Sequence, residues 1–264
     1  MHSYTKYWHV WKTIAINALQ TTFVNRGSNV FFFIGKALRL AFMLLFLWML
    51  RNTVKTIGGY TSDEMVVFFL VYQFIDTVPQ ILYRGVYLFS NLVRTGEFDF
   101  MLLRPINPLF GALTGKPDIN DALFLIPSTA LSLWIISQLS LTITTASVAL
   151  FSILMLNSII LATALHILVL VVGILTTEVD GVIWMYRDVS RMAQFPVSIY
   201  FEPLRSLLYF IVPVGIMVTI PAEVLLGKHS LYVVLFSCLF SGGFMFLSLK
   251  LWNWSLTKYQ SASS

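Results

Sequence analysis

A polar stretch interrupts the long apolar runs of this chain at residues 84–108, RGVYLFSNLVRTGEFDFMLLRPINP. Its first part, residues 84–95, has the spacing of a short amphipathic helix. The polar side chains that share one face of this helix are Arg84, Tyr87, Asn91 and Arg94. Gly96 follows, and glycine is common just past a helix end. The stretch is therefore predicted to begin with a helix that stops at Gly96.

The second part of this stretch combines acidic, aromatic and proline residues. Pro105 disfavours helical backbone at Arg104, so the chain is expected to turn there. A rigid elbow of this kind between two membrane spans suits the docking of a water-soluble partner, although an ordinary loop on the membrane surface would share its composition. The candidate docking residues are Arg84, Asn91, Arg94, Gly96, Glu97, Phe98, Asp99, Arg104 and Pro105.

Composition identifies the class of protein. Of 264 residues, 58% are hydrophobic and only 11% are charged, whereas soluble domains average about 25% charged residues. The 22 Phe and 7 Trp suit lipid-facing surfaces and interfacial anchoring. A single cysteine, Cys238, excludes an intrachain disulfide. The chain is therefore predicted to be an integral membrane protein.

Six apolar runs are long enough to cross about 30 Å of hydrocarbon, which takes roughly 20 residues each. They lie near 29–50, 63–83, 120–141, 148–175, 204–220 and 231–252. Pro203, Pro213 and Pro221 punctuate the fifth run, which favours a kinked or partly re-entrant segment. We predict one all-α, polytopic membrane domain over residues 1–264, with no internal repeat.

Two amphipathic segments flank these runs. Residues 4–24, within an N-terminal segment 1–28, predict a helix in the plane of the interface, with Trp8 and Trp11 as anchors. A packed cytoplasmic helix is the alternative. Residues 176–203 are expected to lie on the cytoplasmic side or in the interface. Their predicted apolar stripe, Val182, Met185, Val189 and Met192, lies opposite Arg187, Asp188 and Arg191.

Basic residues predict the orientation, because cytoplasmic loops carry an excess of lysine and arginine. With both termini cytoplasmic, the inner segments hold Lys6, Lys12, Arg26, Arg84, Arg94, Arg104, Lys116, Arg187, Arg191 and Lys258. The outer loops then hold Arg51, Lys55 and Lys228. Residues 84–118, which lie between the second and third apolar runs, are thus placed in the cytoplasm. Topology accounts for the net charge of +5, and no nucleic-acid partner is expected.

Charged residues inside predicted spans suggest a specific role, because each costs about 2.5–3.5 kcal/mol at a helix centre on insertion scales. Lys36 and Arg39 in the first run and Asp76 in the second lie at similar depths. We expect a structural or gating ion pair between Asp76 and one of these cations, with snorkelling of both cations as the alternative. His166 stands alone in the fourth run and is expected to be a hydrogen-bonded packing residue.

Sequence signatures of catalysis are not found. Residues 111–116, GALTGK, have one residue too few for a phosphate-binding loop, and Pro117 replaces the Ser or Thr that would hold magnesium. No His/Cys set has metal-ligand spacing, and no G-x-S-x-G elbow indicates a hydrolase. No catalytic, cofactor or metal site is therefore predicted in this chain.

Short motifs along the chain carry a resemblance to a known family. They are Asn25-Arg26, residues 57–61 before Glu64-Met65, residues 96–99 with 102–105, residues 107–109, Phe195-Pro196 with Ile199-Tyr200, and Pro213 leading to residues 220–222 and 225–227. In this order they resemble the membrane subunit of a type-2 ATP-binding cassette (ABC) exporter. Within that class the chain is similar to six-span bacterial permeases whose ATPase is separately encoded.

The resemblance implies a division of labour. The segment between spans two and three would be the coupling helix, seated in a groove of a cytoplasmic ATPase that binds ATP and Mg²⁺. Two ATPase copies and a second permease, homologous or identical, would complete the assembly in the bacterial plasma (inner) membrane. The N-terminal helix would be the interfacial connecting helix. Only residues 221–230 remain for the re-entrant pair that the class carries before its last span, so this pair is expected to be shortened.

The sequence supports three functional hypotheses. The first is an ATP-driven export permease for an amphipathic cargo, such as a drug, peptide or lipid, with no ATPase activity of its own. The second is a secondary carrier driven by an ion gradient, which needs ionisable groups near the midplane and often shows inverted repeats. The third is an intramembrane enzyme or a structural scaffold.

Overall fold

The computed structural model describes residues 2–24, 26–53, 55–176 and 179–260. They form an all-α membrane protein with one short antiparallel hairpin. The helices are α1 (His2–Val24), α2 (Arg26–Thr53), α3 (Ser62–Leu82), α4 (Phe89–Arg94), α5 (Glu97–Leu103), α6 (Pro108–Thr114), α7 (Ile119–Gln138), α8 (Thr145–Thr176), α9 (Asp180–Arg191), α10 (Leu204–Ser206), α11 (Ile220–Leu225) and α12 (Leu231–Leu256). The hairpin pairs β1 (Thr56–Ile57) with β2 (Tyr60–Thr61).

Five of these helices are long and apolar enough to cross a membrane: α2, α3, α7, α8 and α12. They confirm five of the six predicted runs to within a few residues at each end. The start of α3 shows why such boundaries can be read from sequence. The Thr61 hydroxyl accepts from the Glu64 amide, and the Glu64 carboxylate accepts from the Thr61 amide, which is a capping box.

The bundle has two distinguishable ends. We call the end that carries residues 84–118 the elbow end, and the end that carries the β1–β2 hairpin the hairpin end. Since α3 leaves the hairpin and leads into the elbow, α2 and α7 run towards the hairpin end while α3, α8 and α12 run back. Tyr7 before α2 packs on Phe110, and Tyr259 after α12 packs on Phe98. The described parts of both chain termini therefore lie at the elbow end.

Burial separates the helices into two groups. Most of the apolar stretch is buried in α3 and α8, whereas less than a quarter of it is buried in α2, α7 and α12. The core is consequently built around α3 and α8, with α12 packed along α8. The exposed faces of the other three helices are rich in large apolar side chains, as lipid-facing surfaces are.

Residues 180–200 correct one prediction, because they run from one end of the bundle to the other. At the elbow end the Val179 amide donates to the Ser90 hydroxyl at 2.7 Å. At the hairpin end Ser198 and Tyr60 are hydrogen-bonded through their hydroxyls at 2.8 Å. The crossing consists of α9 followed by 3-10 turns at Met192–Gln194 and Val197–Ile199. Residues 176–203 were expected to stay on one surface because α9 is amphipathic and carries four charges.

The buried face of α9 also differs from the predicted stripe. Ile183 is buried, whereas Met185 is exposed. Tyr186 packs against His166 of α8, with their ring centroids 5.2 Å apart. The helix therefore turns aromatic and polar side chains towards the bundle, and part of its apolar stripe lies outside.

Residues 204–225 agree with the predicted kinked or partly re-entrant fifth run, because they do not cross the bundle as a straight span. Leu204–Ile211 and Gly215–Leu225 form two helical arms bent by 75°. Ser198 before the first arm and Glu223 in the second arm both contact Tyr60. Both outer ends of the pair therefore lie at the hairpin end, and the pair re-enters the bundle from that side. The re-entrant pair is thus formed by residues 204–225 and is not shortened to 221–230.

The tip of the re-entrant pair is held by backbone contacts in the core. The Ser158 hydroxyl donates to the Met217 carbonyl at 2.7 Å, and the Thr219 hydroxyl accepts from the Val197 amide at 3.0 Å. Pro213 lies at the bend, and Gly215 follows it. A Cβ atom at Gly215 would lie 2.7 Å from the Tyr209 ring, so only glycine lets the two arms approach this closely.

Candidate docking surface at the elbow end

Residues 84–95 form a 3-10 turn and one short α-helix in place of the single helix predicted there. A 3-10 turn, Arg84–Leu88, precedes α4, and α5 and α6 follow. The turn packs tightly on α6, because a Cβ atom at Gly85 would lie 2.5 Å from the Ala112 carbonyl oxygen. This close approach draws the first residues of the elbow into a tighter turn than an amphipathic α-helix would have.

Gly96 separates α4 from α5 as its position in the sequence predicts. Its φ of 73° is left-handed, a conformation that side chains with a Cβ rarely adopt. Helix α5 begins after this residue, and its seven side chains point in different directions around the helix axis. The four residues from Glu97 to Phe100 are therefore divided between two environments.

Phe98 is the inward side chain. It is fully buried, and its ring meets Phe89 at a centroid distance of 5.0 Å and Tyr259 at 5.1 Å, both edge to face. Trp252 of α12 lies 6.5 Å away in the same cluster. Edge-to-face pairs of this kind contribute about 0.5–1.5 kcal/mol each beyond the area that they bury. Phe98 thus anchors α5 to α4 and to the end of α12.

Asp99 faces the same anchor from its polar side. Burial and the neighbouring Asp99 carboxylate raise the pKa of Tyr259 to about 12. Asp99 is half-buried, in contrast to Glu97, which is exposed. The two acidic residues of the predicted site therefore have different surroundings, and only Glu97 is freely presented to a partner.

The outward side of the elbow combines apolar and charged groups. Phe100 is 66% exposed and Leu103 is 82% exposed, although both are large apolar residues outside the long spans. We call the exposed set the docking surface: Asn91, Arg94, Glu97, Phe100, Leu103 and Arg104. An apolar centre surrounded by charges is the usual composition of a protein–protein interface.

Two predicted docking residues make contacts within the chain instead. Arg84 lies 3.6 Å from the Asp118 carboxylate and its guanidinium lies 4.9 Å from the Tyr87 ring centroid. Pro105 is exposed, and its carbonyl accepts a hydrogen bond from the Lys6 amine. Arg84 thus ties the two ends of the elbow together, and Pro105 receives α1.

Helix α1 lies against the elbow and secures it. The Tyr7 hydroxyl accepts from the Asn107 amide at 3.2 Å, and its ring meets Phe110 edge to face at 4.9 Å. Trp8 and Trp11 stack on each other with ring centroids 5.5 Å apart, and Trp8 is 59% exposed. The tryptophan pair therefore remains available as the predicted interfacial anchor.

The charges inside the spans form two separate pairs. The Arg39 guanidinium lies 3.4 Å from the Asp76 carboxylate and 3.3 Å from the Gln73 side-chain oxygen. The Lys36 amine instead binds Asp121 at the start of α7. Asp121 was not singled out from the sequence, because it stands at the edge of its run, where a solvated helix cap is the simpler interpretation.

A small polar cavity lies between α3, α8, α9 and the tip of the re-entrant pair. It measures about 20 Å³, which suits a single water molecule, and Asp76, His166, Tyr186 and Arg187 line it. His166 bonds the Ala162 carbonyl at 2.8 Å, so its Nδ1 donates and its Nε2 is free to accept. Sequence reasoning did not connect Arg187 with His166, because the crossing by residues 180–200 was not foreseen.

The residues that superficially resemble a phosphate-binding loop belong to the elbow. Residues 111–114 are the last turn of α6, and the Asn107 side chain caps the helix by accepting from the Leu109 amide at 2.9 Å. A phosphate-binding loop requires an irregular glycine-rich turn before a helix. The helical geometry of α6 does not provide one.

Comparison with known proteins now identifies the family. A family model described as ABC-2 family transporter protein matches residues 37–263, which include the elbow, the broken crossing and the re-entrant pair. No curated protein and no solved structure matches the chain. The family model covers most of the polypeptide, and its members are membrane components of ABC transporters. The chain belongs to the ABC-2 family of transporter proteins.

Proposed function

We propose that this chain is the permease subunit of an ATP-driven exporter and that a separately encoded ATPase binds its docking surface. The observation that carries the proposal is the division of α5 into two faces. Phe98 is fully buried in an aromatic cluster, while Phe100 and Leu103 are left exposed two and five residues later. Exposed apolar side chains on an anchored helix are typical of an interface that must transmit force to the body of the protein.

The contacts of Phe98 supply a mechanical route into the bundle. A movement of α5 would be passed through Phe89 to α8, since Phe89 lies within 3.1 Å of where a Cβ atom on Gly173 would be. It would also be passed through Trp252 to α12. Closure of an ATPase dimer beneath the elbow would in this way reach the two helices that form the longest contact in the bundle.

The distribution of basic residues supports a cytoplasmic elbow end. With the crossing of residues 180–200 taken into account, the basic residues at the elbow end are Lys6, Lys12, Arg26, Arg84, Arg94, Arg104, Lys116 and Lys258. Those at the hairpin end are Arg51, Lys55, Arg205 and Lys228. Eight residues against four still favour both termini in the cytoplasm of a bacterial inner membrane.

An apolar cavity between α3, α7 and α8 supports an amphipathic cargo. It measures about 520 Å³, and its walls include Phe74, Leu133 and Phe151. Ser128, Ser132 and Ser152 add hydroxyl groups to these walls. Binding sites for small molecules combine apolar walls with a few polar groups in this way. A drug, a lipid or a hydrophobic peptide would fit this chemistry.

The proposed assembly contains two permeases, homologous or identical, and two ATPase copies. ATP and Mg²⁺ would be bound by the ATPase, and this chain would contribute no catalytic group. The exposed apolar faces of α2, α7 and α12 offer area for a second permease as well as for lipid. The functional unit would then enclose its pathway between two copies of this fold.

Photo-crosslinking from the docking surface tests the proposed partner. Benzoylphenylalanine in place of Phe100 should crosslink in cells to a protein that contains a phosphate-binding loop. The matched control carries the same group in place of Tyr232, which is 82% exposed at the hairpin end. A crosslink to such an ATPase from position 232 would contradict the proposal. The absence of a crosslink from position 100 would contradict it as well.

Charge reversal tests whether binding leads to transport. Glu97→Lys should abolish stimulation of the ATPase and export while leaving membrane insertion unchanged. Glu202→Lys is the control, because Glu202 is equally exposed but lies at the hairpin end beside Arg205. Equal effects of both changes would contradict the docking role, and so would transport by the isolated chain in liposomes that are energised only by an ion gradient.

A further inference from the structure

A cavity between α1 and the elbow shares only Arg104 with the docking surface. It measures about 310 Å³, at the lower end of the roughly 300–1,000 Å³ that small-molecule sites occupy. Its apolar lining comes from both elements: Val10, Ile14, Leu88, Leu92, Met101 and Phe110. Neither Phe100 nor Leu103 lines the cavity. An ATPase seated on these two residues would therefore leave the apolar interior of the cavity to another occupant.

Two cations complete the lining. The side chains of Arg104 and Lys116 are exposed, and both border the cavity. Within residues 55–176 and the other described parts of the chain, neither has a carboxylate partner within 4.0 Å. The elbow does have acidic residues, but Asp118 faces Arg84 and Asp99 faces Tyr259. Two uncompensated positive charges thus stand at the rim of an apolar cavity.

The position of the cavity relates it to the membrane surface. Helix α1 forms one wall, and its stacked Trp8 and Trp11 are residues that prefer the headgroup level. The Lys6 amine and the Tyr7 hydroxyl hold α1 on the elbow at Pro105 and Asn107. The cavity therefore lies where the headgroups of one leaflet meet the acyl chains. The apolar interior of the cavity corresponds to the acyl chains, and its cationic rim corresponds to the headgroups.

We propose that this cavity binds one anionic phospholipid of the elbow-side leaflet. An acyl chain would lie among Ile14, Leu92 and Met101, and the phosphate would lie between Arg104 and Lys116. The charge of the rim selects against zwitterionic lipids, and the apolar interior selects against free phosphate. The bound lipid would connect α1 to the elbow and make the position of α5 sensitive to the charge of the leaflet.

Native mass spectrometry of the full-length chain in detergent tests this site without the ATPase. The chain is titrated with phosphatidylglycerol and, separately, with phosphatidylcholine of the same acyl chains. We expect one phosphatidylglycerol to bind in preference to phosphatidylcholine. Lys116→Gln should weaken its binding about 5-fold, which is the effect of one lysine near an anionic surface. Lys258→Gln removes an exposed lysine at the same end and should leave the affinity unchanged.

A second variant tests the acyl part of the site. Ile14→Phe enlarges a lining side chain and should reduce the binding of phosphatidylglycerol. The helical circular dichroism of the full-length chain should stay unchanged. Inorganic phosphate, added at constant ionic strength, should not compete with phosphatidylglycerol for the site. Equal binding of both lipids, equal losses in Lys116→Gln and Lys258→Gln, or full competition by phosphate would each overturn the proposal. Because no ATPase is present, these results do not depend on the proposed docking of α5.

Discussion

Replacing Phe98 with alanine should detach the elbow from the bundle while the spans stay folded. The Phe98 side chain is fully buried, and its ring contacts Phe89 and Tyr259 at centroid distances of 5.0 and 5.1 Å. Its removal leaves a cavity in a cluster that has no other residue able to fill it. Helix α5 has only seven residues, so it cannot remain ordered without this anchor.

The magnitude can be worked out from the burial. Truncation of a buried phenylalanine to alanine costs about 3–5 kcal/mol in a water-soluble core. This range applies here because the cluster lies at the elbow end, packed by protein atoms beyond the long apolar spans. Since about 1.4 kcal/mol corresponds to a factor of ten, local opening of α5 should become at least about 10²-fold more frequent.

Hydrogen exchange on the purified full-length chain measures this opening directly. Amide protection of Glu97–Leu103 should fall by that factor in Phe98→Ala, whereas protection within α3 should stay unchanged. Phe100→Ala removes the same side chain from an exposed position two residues away. It should alter the stability of α5 by no more than about 0.5 kcal/mol, as exposed substitutions usually do. Its effect should appear instead as weaker binding of the ATPase.

Two results would refute this reasoning. If Phe98→Ala left the exchange of α5 unchanged, the aromatic cluster would not be what holds the elbow. If Phe98→Ala and Phe100→Ala raised exchange equally, the division of α5 into an anchored and a presented face would be wrong. A general loss of protection in α3 would show that Phe98 stabilises the whole bundle and not the elbow alone.

Three further changes probe other parts of the structure. Asp121→Ala leaves the part-buried Lys36 amine unpaired. Breaking a buried ion pair typically costs about 3–5 kcal/mol. The change should therefore lower the thermal unfolding temperature in detergent more than Asp76→Ala, because the Arg39 partner of Asp76 is 42% exposed. Gly85→Ala forces a Cβ atom to 2.5 Å from a carbonyl oxygen of α6 and should raise hydrogen exchange in α6, whereas Gly181→Ala in α9 meets no neighbouring atom. Tyr60→Phe removes contacts to Glu223 and Ser198 and should raise exchange in α11. Burial and Glu223 raise the pKa of Tyr60 to about 12, so the folded protein keeps the hydroxyl proton to higher pH than the unfolded chain does. The stability that this proton contributes should therefore fall between about pH 10 and pH 12. Alkaline unfolding should show this loss in the wild type but not in Tyr60→Phe.

Hydropathy was sufficient to predict the five long apolar helices, whether lipid or protein surrounds them. Runs such as the one in α8 are apolar on every side, so their length alone identifies them. The crossing by residues 180–200 escaped this criterion, because α9 carries Arg187, Asp188 and Arg191 and covers only part of the distance. Arg187 packs over the Tyr87 ring, whereas Asp188 and Arg191 pair with each other on the exposed side. A segment at membrane depth that packs part of its surface on protein need not be apolar, and hydropathy cannot detect it.

The docking residues were predicted as a set, but not their division into roles. Alternation of acidic and aromatic residues at 97–100 indicated a surface, and Glu97 is indeed exposed. The burial of Phe98 depends on Trp252 and Tyr259, which are more than 150 residues away in the chain. Likewise, the pairing of Lys36 with Asp121 depends on α7 lying beside α2. Contacts of this range cannot be inferred from the spacing within one segment.

The broken crossing by residues 180–200 differs from α3 in how well it can transmit movement through the bundle. From Ser62 to Asp76, α3 has no proline or glycine, so this part of the helix transmits displacement from the hairpin as a stiff rod as far as the turn that contains Pro79. Residues 192–203 instead form short turns joined by extended linkers, and they can lengthen or shorten without rotating the re-entrant pair. One inserted residue in α3 would turn every later side chain by about 100°. In homologous chains we therefore expect insertions and deletions to accumulate between α9 and the re-entrant pair and to be absent from α3.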